Sequence, residues 1–413
     1  MRVLLMSYGS RGDVEPLAGL AVRLRELGAE AVVCAPPDEE FAELLARVGV
    51  PHVPFGPSVR ALAVGARPPT QEDAFRLAAA LVAAHFETVG AAAEGCDALV
   101  ATGLLPAGAR SVAERHGLRY VYAGFHPLGL PSPHFPPPGR PGPPTPPGMT
   151  DNRALWDLDA RRVNALYGEA LNTHRAAIGL APVDNVRDHV FTDRPWLAAD
   201  PVLGPVEGLT HLDVVQTGAW FLPDERPLPE DLSAWLEAGD PPVYVGFGSM
   251  AMRSPDVARV AVEAVRDRGR RVLVGRGWAG LVPIDDRDDC FAVGEVSHQA
   301  LFPRVAAVVH HGGAGTTATA TRSGAPQVVV PQVVDQPYWA GRVADLGVGA
   351  AHDGPVPTYA SLSAALEVAL APETGRRAEE VAATVRADGT TVAARLLLDG
   401  AAGADAGTPL GSA

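Results

Sequence analysis

The run Val308-Val309-His310-His311-Gly312-Gly313-Ala314-Gly315-Thr316-Thr317 constrains this chain more than any other. Its apolar lead-in, 304–309, ends in two histidines, passes three glycines in four residues, and meets a helix start expected at Thr316-Thr317. A strand that stops in a glycine turn and restarts as a helix leaves backbone N–H groups without intrahelical partners. They lie at the positive end of the helix dipole, which suits a phosphate. A second glycine turn, Gly9-Ser10-Arg11-Gly12, lies about 300 residues upstream. One such turn in each half predicts two nucleotide-fold domains facing each other.

The rest of the chain has the matching rhythm. Strand-like runs at 2–7, 31–35, 98–101 and 120–123 alternate with helix-like runs at 14–27, 38–48, 71–93 and 106–115. This βαβ series predicts a parallel sheet with helices on both faces. Residues 127–148 interrupt it with eleven prolines, which exclude a helix or an inner strand. The segment is either a disordered surface loop or a mobile loop over a binding cleft. A helix is expected at 151–178, and an interdomain linker within the Pro-, Gly- and Asp-rich stretch 199–229. A second series follows, with strands at 243–247, 271–274, 290–293, 306–309 and 327–330. Its helices are expected at 254–268, 316–323, 338–346, 361–370, 374–386 and 390–398.

Composition removes several function classes. A chain of 413 residues is long enough for two separate cores. Its formal net charge of −14 argues against non-specific nucleic-acid binding. The three cysteines, Cys34, Cys96 and Cys290, are isolated and odd in number, so neither zinc nor a disulfide framework is expected. Free thiols in a reducing cytoplasm are expected instead. The first seven residues read as a buried strand rather than a signal peptide, and no run of 18 apolar residues predicts a membrane span.

The turn Gly9-Ser10-Arg11-Gly12-Asp13-Val14-Glu15-Pro16 is not a dinucleotide fingerprint, which weakens a dehydrogenase reading. Asp13 is either the N-cap of the next helix or a general base at the carboxyl end of a parallel sheet, where open α/β folds place ligands. Arg11 is either an anion contact or a solvated loop cation. Ser249 ends a strand in a glycine-rich turn and can donate to a phosphate or close an ordinary hydroxyl turn. His310 and His311 point to opposite faces of their strand, so one of them at most faces the glycine turn. Asp335 can cap the helix that Pro337 and Tyr338 open. With Gln336 it also offers donors and acceptors suited to sugar hydroxyls. Two Asp-x-Asp patterns, at 157–159 and within 285–289, read as a helical pair and a solvated acidic loop, and no required metal is predicted.

Taken in order, Gly9 to Asp13, Thr217-Gly218-Ala219-Trp220, Val245 to Ser249, His310 to Thr317, Asp335-Gln336-Pro337-Tyr338 and Asp388 to Ala394 resemble the family 1 type of GT-B glycosyltransferase. The nearest likeness is to the vancomycin-group enzymes of actinomycetes, which glycosylate glycopeptide antibiotics. The resemblance implies two Rossmann-like α/β domains with parallel sheets facing across a deep cleft. It divides the chain into an acceptor domain at 1–200 with a mobile loop at 127–148, a linker at 201–229, a donor domain at 230–400 and a frayed tail at 401–413. The last helix is a candidate to pack back on the N-terminal domain.

The resemblance also implies roles. A dTDP- or UDP-linked sugar binds the C-terminal domain, with its diphosphate on Gly313, Gly315 and Thr316 and His311 and Ser249 beside it. The nucleobase lies near Val296 and Gln299, and Asp335 and Gln336 face the sugar. Ser10 and Arg11 match residues that reach the diphosphate from the N-terminal domain. Asp13 matches the base; many relatives carry His there, in a His-x-x-Pro pattern, and Asp13-x-x-Pro16 is the form of the antibiotic-type branch. The implied enzyme is an inverting, metal-independent, cofactor-free monomer. It moves a hexose or a deoxy- or amino-sugar to a hydroxyl of a bulky natural product, a glycopeptide first of all, with no nucleic-acid or membrane partner. The fold also serves nucleotide-sugar 2-epimerases and transferases acting on macrolide, polyketide or lipid acceptors. The long proline-rich loop favours a bulky second substrate, and the intact Ser249, His311 and glycines count against a non-catalytic homologue.

Overall fold

The computed structural model describes residues 1–63, 70–206, 208–249, 256–278 and 280–404, with side chains through 400. Short Val- and Ala-rich runs become the strands β1 (Arg2–Tyr8), β2 (Glu30–Ala35), β3 (His52–Pro54), β4 (Ala98–Gly103), β5 (Arg119–Gly124), β6 (Trp196–Leu197) and β7 (Val215–Gln216). Downstream they continue as β8 (Val243–Gly246), β9 (Val272–Gly275), β10 (Cys290–Val293), β11 (Ala307–His310), β12 (Gln327–Val329) and β13 (Gly349–Ala351). These runs are apolar without alternation because a parallel sheet is covered on both faces. Every pairing among the described residues is parallel, and the register sets Leu4 beside both Val32 and Leu99, and Val309 beside both Val245 and Val328.

One sheet has the order β3-β2-β1-β4-β5-β6-β7 and the other β10-β9-β8-β11-β12-β13. Each order reverses once, between β1 and β4 and between β8 and β11. Such a switch point opens a crevice outside the carboxyl ends of the strands, and there open α/β sheets bind ligands.

The chain divides into two compact units: 1–199 with 206–222 and 387–413, and 200–205 with 223–386. In the first unit Val3 and Leu5 pack with Leu17, Leu20 and Leu24 of the Arg11–Glu26 helix and with Ala393, Ala394 and Leu397 of the Gly389–Ala404 helix. That last helix is also tied by Arg23 Nε, which donates to Thr391 Oγ1 at 2.7 Å. In the second unit Val243, Val245, Val272, Val274 and Val309 pack with Val260 and Val265 of the Val257–Arg266 helix and Leu362 and Leu366 of the Tyr359–Ala369 helix.

Several boundaries differ from the sequence expectation. The first helix begins at Arg11 rather than 14, because Ser10 and not Asp13 is its N-cap. The helix after β11 begins at Ala314, two residues before Thr316, with Gly313 as N-cap. Of the helix expected at 254–268, Val257–Arg266 is helical, and Ser254 and Pro255 lie outside the described residues. The acidic run 285–289 is not simply solvated, since the Arg266 guanidinium pairs with both Asp285 (2.7 Å) and Asp289 (2.6 Å).

No membrane span was expected. Among the described residues, however, Gln71–Ala92 has the length (22 residues) and mean hydropathy (1.2) of one. Its Ala78, Leu81 and Val82 are buried, and His85–Val89 forms a π turn within it. The proline-rich segment forms a single 3₁₀ turn at Pro127–Gly129 and then irregular chain held on the Asn152–Ala177 helix. There Trp156 Nε1 donates to the Phe135 carbonyl at 2.9 Å and Arg162 Nε to the Pro143 carbonyl at 3.1 Å.

Candidate active site

The glycine turn of the second unit sits at its switch point, between the ends of β8 and β11. Helix geometry leaves the N–H groups of Ala314, Gly315 and Thr316 without intrahelical acceptors. Thr317 N–H closes the first turn onto the Gly313 carbonyl at 2.9 Å. Ala314 therefore joins Gly315 and Thr316 as a donor; the later helix start expected from sequence had hidden it.

The two histidines divide their work. His310 is fully buried, and its Nδ1 accepts the Gly312 N–H at 3.1 Å. Its proton therefore sits on Nε2, which donates to Gln327 Oε1 at 3.0 Å. Gln327 Nε2 donates to Thr321 Oγ1 at 2.9 Å, and Thr321 Oγ1 donates to the Thr317 carbonyl at 2.8 Å. This directed chain fastens the turn to the helix behind it. His311 faces the other way. Its ring lies against Gly248 and Gly313: a Cβ on those residues would stand 3.3 Å from Cε1 and 2.6 Å from Nε2. Its Nδ1 is buried with no hydrogen-bond partner among the described residues. Burial holds His311 down at about 4, Asp335 opposing and His298 adding to the effect. It also holds His310 at about 3, with the charge of His311 adding to it.

These shifts carry a prediction about stability. Burial also lowers His85 to about 3 and His189 to about 4. An unfolded chain takes up these protons near pH 6.5 and the folded one does not. Below that pH the unfolded state therefore binds more protons, and stability rises with pH up to about 6.5. The urea midpoint is expected to fall between pH 7.5 and 5.5, a range in which carboxylates stay ionised. A midpoint constant over that range would contradict these burials.

The loop 331–335 after β12 touches the same turn. A Cβ on Gly312 would lie 3.2 Å from the Gln336 carbonyl. Gln336 is buried, and its Oε1 accepts the N–H groups of Gln332 (2.7 Å) and Val333 (3.1 Å). The clamp helps hold exposed Val334 at a φ of 53°, an uncommon setting for a β-branched residue. Asp335 occupies the N-cap position of the Gln336–Asp345 helix without a capping bond of its side chain; its Oδ2 accepts Trp339 Nε1 at 2.6 Å. Asp335 and Gln336 thus lie near the turn, with one side-chain oxygen of each used inside the protein.

Ser249 is half-buried and follows Gly248, whose carbonyl accepts the Trp278 N–H at 2.8 Å. Val296 and Gln299, both half-buried, flank the start of the short His298–Leu301 helix. Ser297 fixes that helix, accepting the Ala300 N–H at 3.2 Å and donating to the Asp224 carbonyl at 2.9 Å. Between them stands His298, which sequence reasoning passed over. It stacks on Phe302 with ring centres 4.5 Å apart, and its Nε2 is 3.3 Å from the Tyr244 hydroxyl. Tyr244 can lie flat there because Gly246 and Gly275 have no side chains to meet its hydroxyl.

In the first unit β1 ends at Tyr8 and runs into Ser10, the N-cap of the Arg11–Glu26 helix. Asp13 is the third helical residue. Its Oδ2 accepts the Ser10 N–H at 2.8 Å, the returning half of a capping box. The N-cap reading of Asp13 is therefore corrected: it supports the cap without being it. A Cβ on Gly9 would overlap the Asp13 carboxylate, so the glycine makes room for it. Arg11 Nε pairs with Glu15 Oε2 at 2.7 Å. The charge of Asp13 also acts on Tyr122, a buried phenol that burial raises to about 12, with Arg140 opposing. Neither Tyr122 nor Arg140 carries a motif, so sequence reading had no signal for them.

Two parallel-sheet α/β units, each with a glycine turn at its switch point, define the GT-B class of nucleotide-sugar enzyme. Comparison with known proteins agrees. A family model described as erythromycin biosynthesis protein CIII-like, C-terminal domain, matches residues 287–394. The chain is 60% identical to Glycosyltransferase GtfE of Amycolatopsis orientalis, over 96% of its own length and 97% of the relative's. It is 58% identical to the vancomycin aglycone glucosyltransferase of that organism, covering 97% of each chain. It is 53% identical to its dTDP-epi-vancosaminyltransferase, again covering 97% of each. The solved structure of the kitacinnamycin glycotransferase has the same fold, with a TM-score of 0.71 at 18% identity over 96% of this chain and 98% of that one. The chain belongs to the vancomycin-group glycosyltransferases, and it is an enzyme of that kind.

Proposed function

We propose that this enzyme moves a hexose, or a deoxy- or amino-hexose, from dTDP or UDP to a hydroxyl of a glycopeptide aglycone, inverting the anomeric carbon. The observation that carries the donor half is the glycine turn, where the His311 ring lies against Gly248 and Gly313, the Gln336 carbonyl borders Gly312, and the N–H groups of Ala314, Gly315 and Thr316 lack intrahelical acceptors. Likeness to the aglycone glucosyltransferase supports the acceptor class, and likeness to the dTDP-sugar transferase supports thymidine diphosphate as carrier.

In this reading the acceptor oxygen bonds to the anomeric carbon as the bond to the phosphate oxygen breaks, and that electron pair leaves with the nucleoside diphosphate. Asp13 takes the hydroxyl proton. The helix-start amides and His311 stabilise the charge gathering on the leaving group, the task a metal ion performs in other sugar transferases. Ser10 and Arg11 flank Asp13 at the same helix start, with Arg11 paired to Glu15. Val296 and Gln299 hold the nucleobase, and Asp335 and Gln336 meet the sugar with the polar atoms they do not spend internally. We assign the acceptor to the first unit and the donor to the second. The three free cysteines suit a cytoplasmic enzyme.

The test crosses a panel of dTDP- and UDP-sugars with glycopeptide, macrolide and lipid aglycones, read by mass with a chelator present. A glycopeptide product bearing one added sugar is expected. An isomerised nucleotide sugar formed without any acceptor would establish the epimerase instead.

A further inference from the structure

The proline-rich segment is poor in donors, because each of its prolines lacks an N–H. It therefore offers carbonyls, and the Asn152–Ala177 helix supplies the donors: Asn152 Nδ2 to the Pro133 carbonyl (3.0 Å), Trp156 Nε1 to Phe135 and Arg162 to Pro143. One bond runs the other way. Arg140 of the segment donates from Nε to Asp159 Oδ1 of the helix at 2.7 Å. This pair is enclosed, with the Asp159 side chain 1% exposed and that of Arg140 14%. The second oxygen of Asp159, Oδ2, is buried with no hydrogen-bond partner among the described residues.

A buried pair with an unsatisfied oxygen is a poor device for stability alone, since desolvation offsets most of the attraction. Its surroundings point elsewhere. The Arg140 charge acts on two buried phenols, Tyr122 and Tyr167, and Asp13 acts on Tyr122 in the opposite sense. The one cation that the proline-rich segment sends inward thus shares a neighbour with Asp13, at the carboxyl half of β5.

We infer that Arg140 and Asp159 are positioning residues for the acceptor: their pair latches the proline-rich segment to the Asn152–Ala177 helix and so fixes a wall against which a bulky aglycone is oriented. The inference rests on the assignment of the aglycone to the first unit. Neither residue touches the reacting atoms.

The test uses the full chain and three variants: Arg140→Met, Arg140→Lys, and the double variant Arg140→Met with Asp159→Leu. The single methionine variant strands a buried carboxylate, and its melting temperature is expected to fall. The double variant removes both charges and is expected to melt close to the wild type, which separates positioning from folding. In both, KM for the aglycone is expected to rise tenfold or more. KM for the nucleotide sugar, and the Kd for TDP measured without acceptor, should stay within twofold. Arg140→Lys should recover part of the loss. A double variant with an unchanged aglycone KM would overturn the latch while leaving the transferase reading intact. A wild type that only isomerises its nucleotide sugar would remove both.

Discussion

Replacing Asp13 by Asn is expected to lower kcat for transfer to an alkyl hydroxyl by about 10²- to 10⁴-fold, the usual contribution of a positioned base. The substitution isolates the chemistry. Asp13 Oδ2 accepts the Ser10 N–H in the capping box, and an Asn side-chain oxygen accepts the same bond. The helix start is therefore kept and the melting temperature should stay close to that of the wild type, as should KM for the nucleotide sugar. A phenolic acceptor ionises more readily and should lose much less. Gly9→Ala is the complementary variant: its Cβ displaces the Asp13 carboxylate without removing it, so kcat should fall with the charge still present. Unchanged turnover of Asp13→Asn on the native acceptor would remove Asp13 from the mechanism.

The second large effect lies in the second unit, where two glycines three residues apart should respond in opposite ways. Gly312 has a φ of 88°, and a Cβ there would stand 2.6 Å from Val329 Cγ1. Gly312→Ala meets both a left-handed backbone (~1–2 kcal/mol) and overpacking (~1–3 kcal/mol), so a loss of about 2–5 kcal/mol in stability is expected. The turn is lost with it, and donor binding should go too. Gly315 lies in the first turn of the Ala314–Arg322 helix, and a Cβ there meets nothing within 4 Å. Gly315→Ala should therefore melt at or above the wild-type temperature, since alanine suits a helix better by up to ~1 kcal/mol. Its affinity for TDP or UDP should nevertheless drop, because the added methyl group crowds the helix start proposed to hold the diphosphate. Thermal melts and calorimetric titration check both. Undiminished TDP and UDP affinity in Gly315→Ala would move the diphosphate off this helix start.

Much of this architecture could be read along the chain. Buried parallel strands are continuous apolar runs, so β1, β4, β8, β10 and β11 were legible. The strands β3, β6, β7 and β13, two or three residues each, were not, because they owe their state to the neighbour they pair with. The first helix start was misplaced because an Asp three residues after a Ser satisfies either reading of a cap, and only backbone geometry tells N-cap from third position. The glycine turn and the helix start behind it were legible. The tie that holds the turn was not, since Gln327 lies 17 residues beyond His310 and belongs to the next strand. Likewise nothing near Arg140 in the sequence names Asp159, 19 residues on in the next helix.

By itself the sequence determined the alternation of strand and helix, the two glycine turns, and the motif order that places the chain among GT-B glycosyltransferases. These follow from local rules: backbone periodicity, the steric freedom of glycine, and the orphan amides of a helix start. Tertiary structure decided which of two adjacent histidines faces the turn. It committed the Gln336 oxygen inward to the Gln332 and Val333 amides, and it drew the last helix into the first unit's core. Those outcomes depend on which distant residues meet and how deeply they are buried, and contact and desolvation between remote segments leave no periodic trace in the chain.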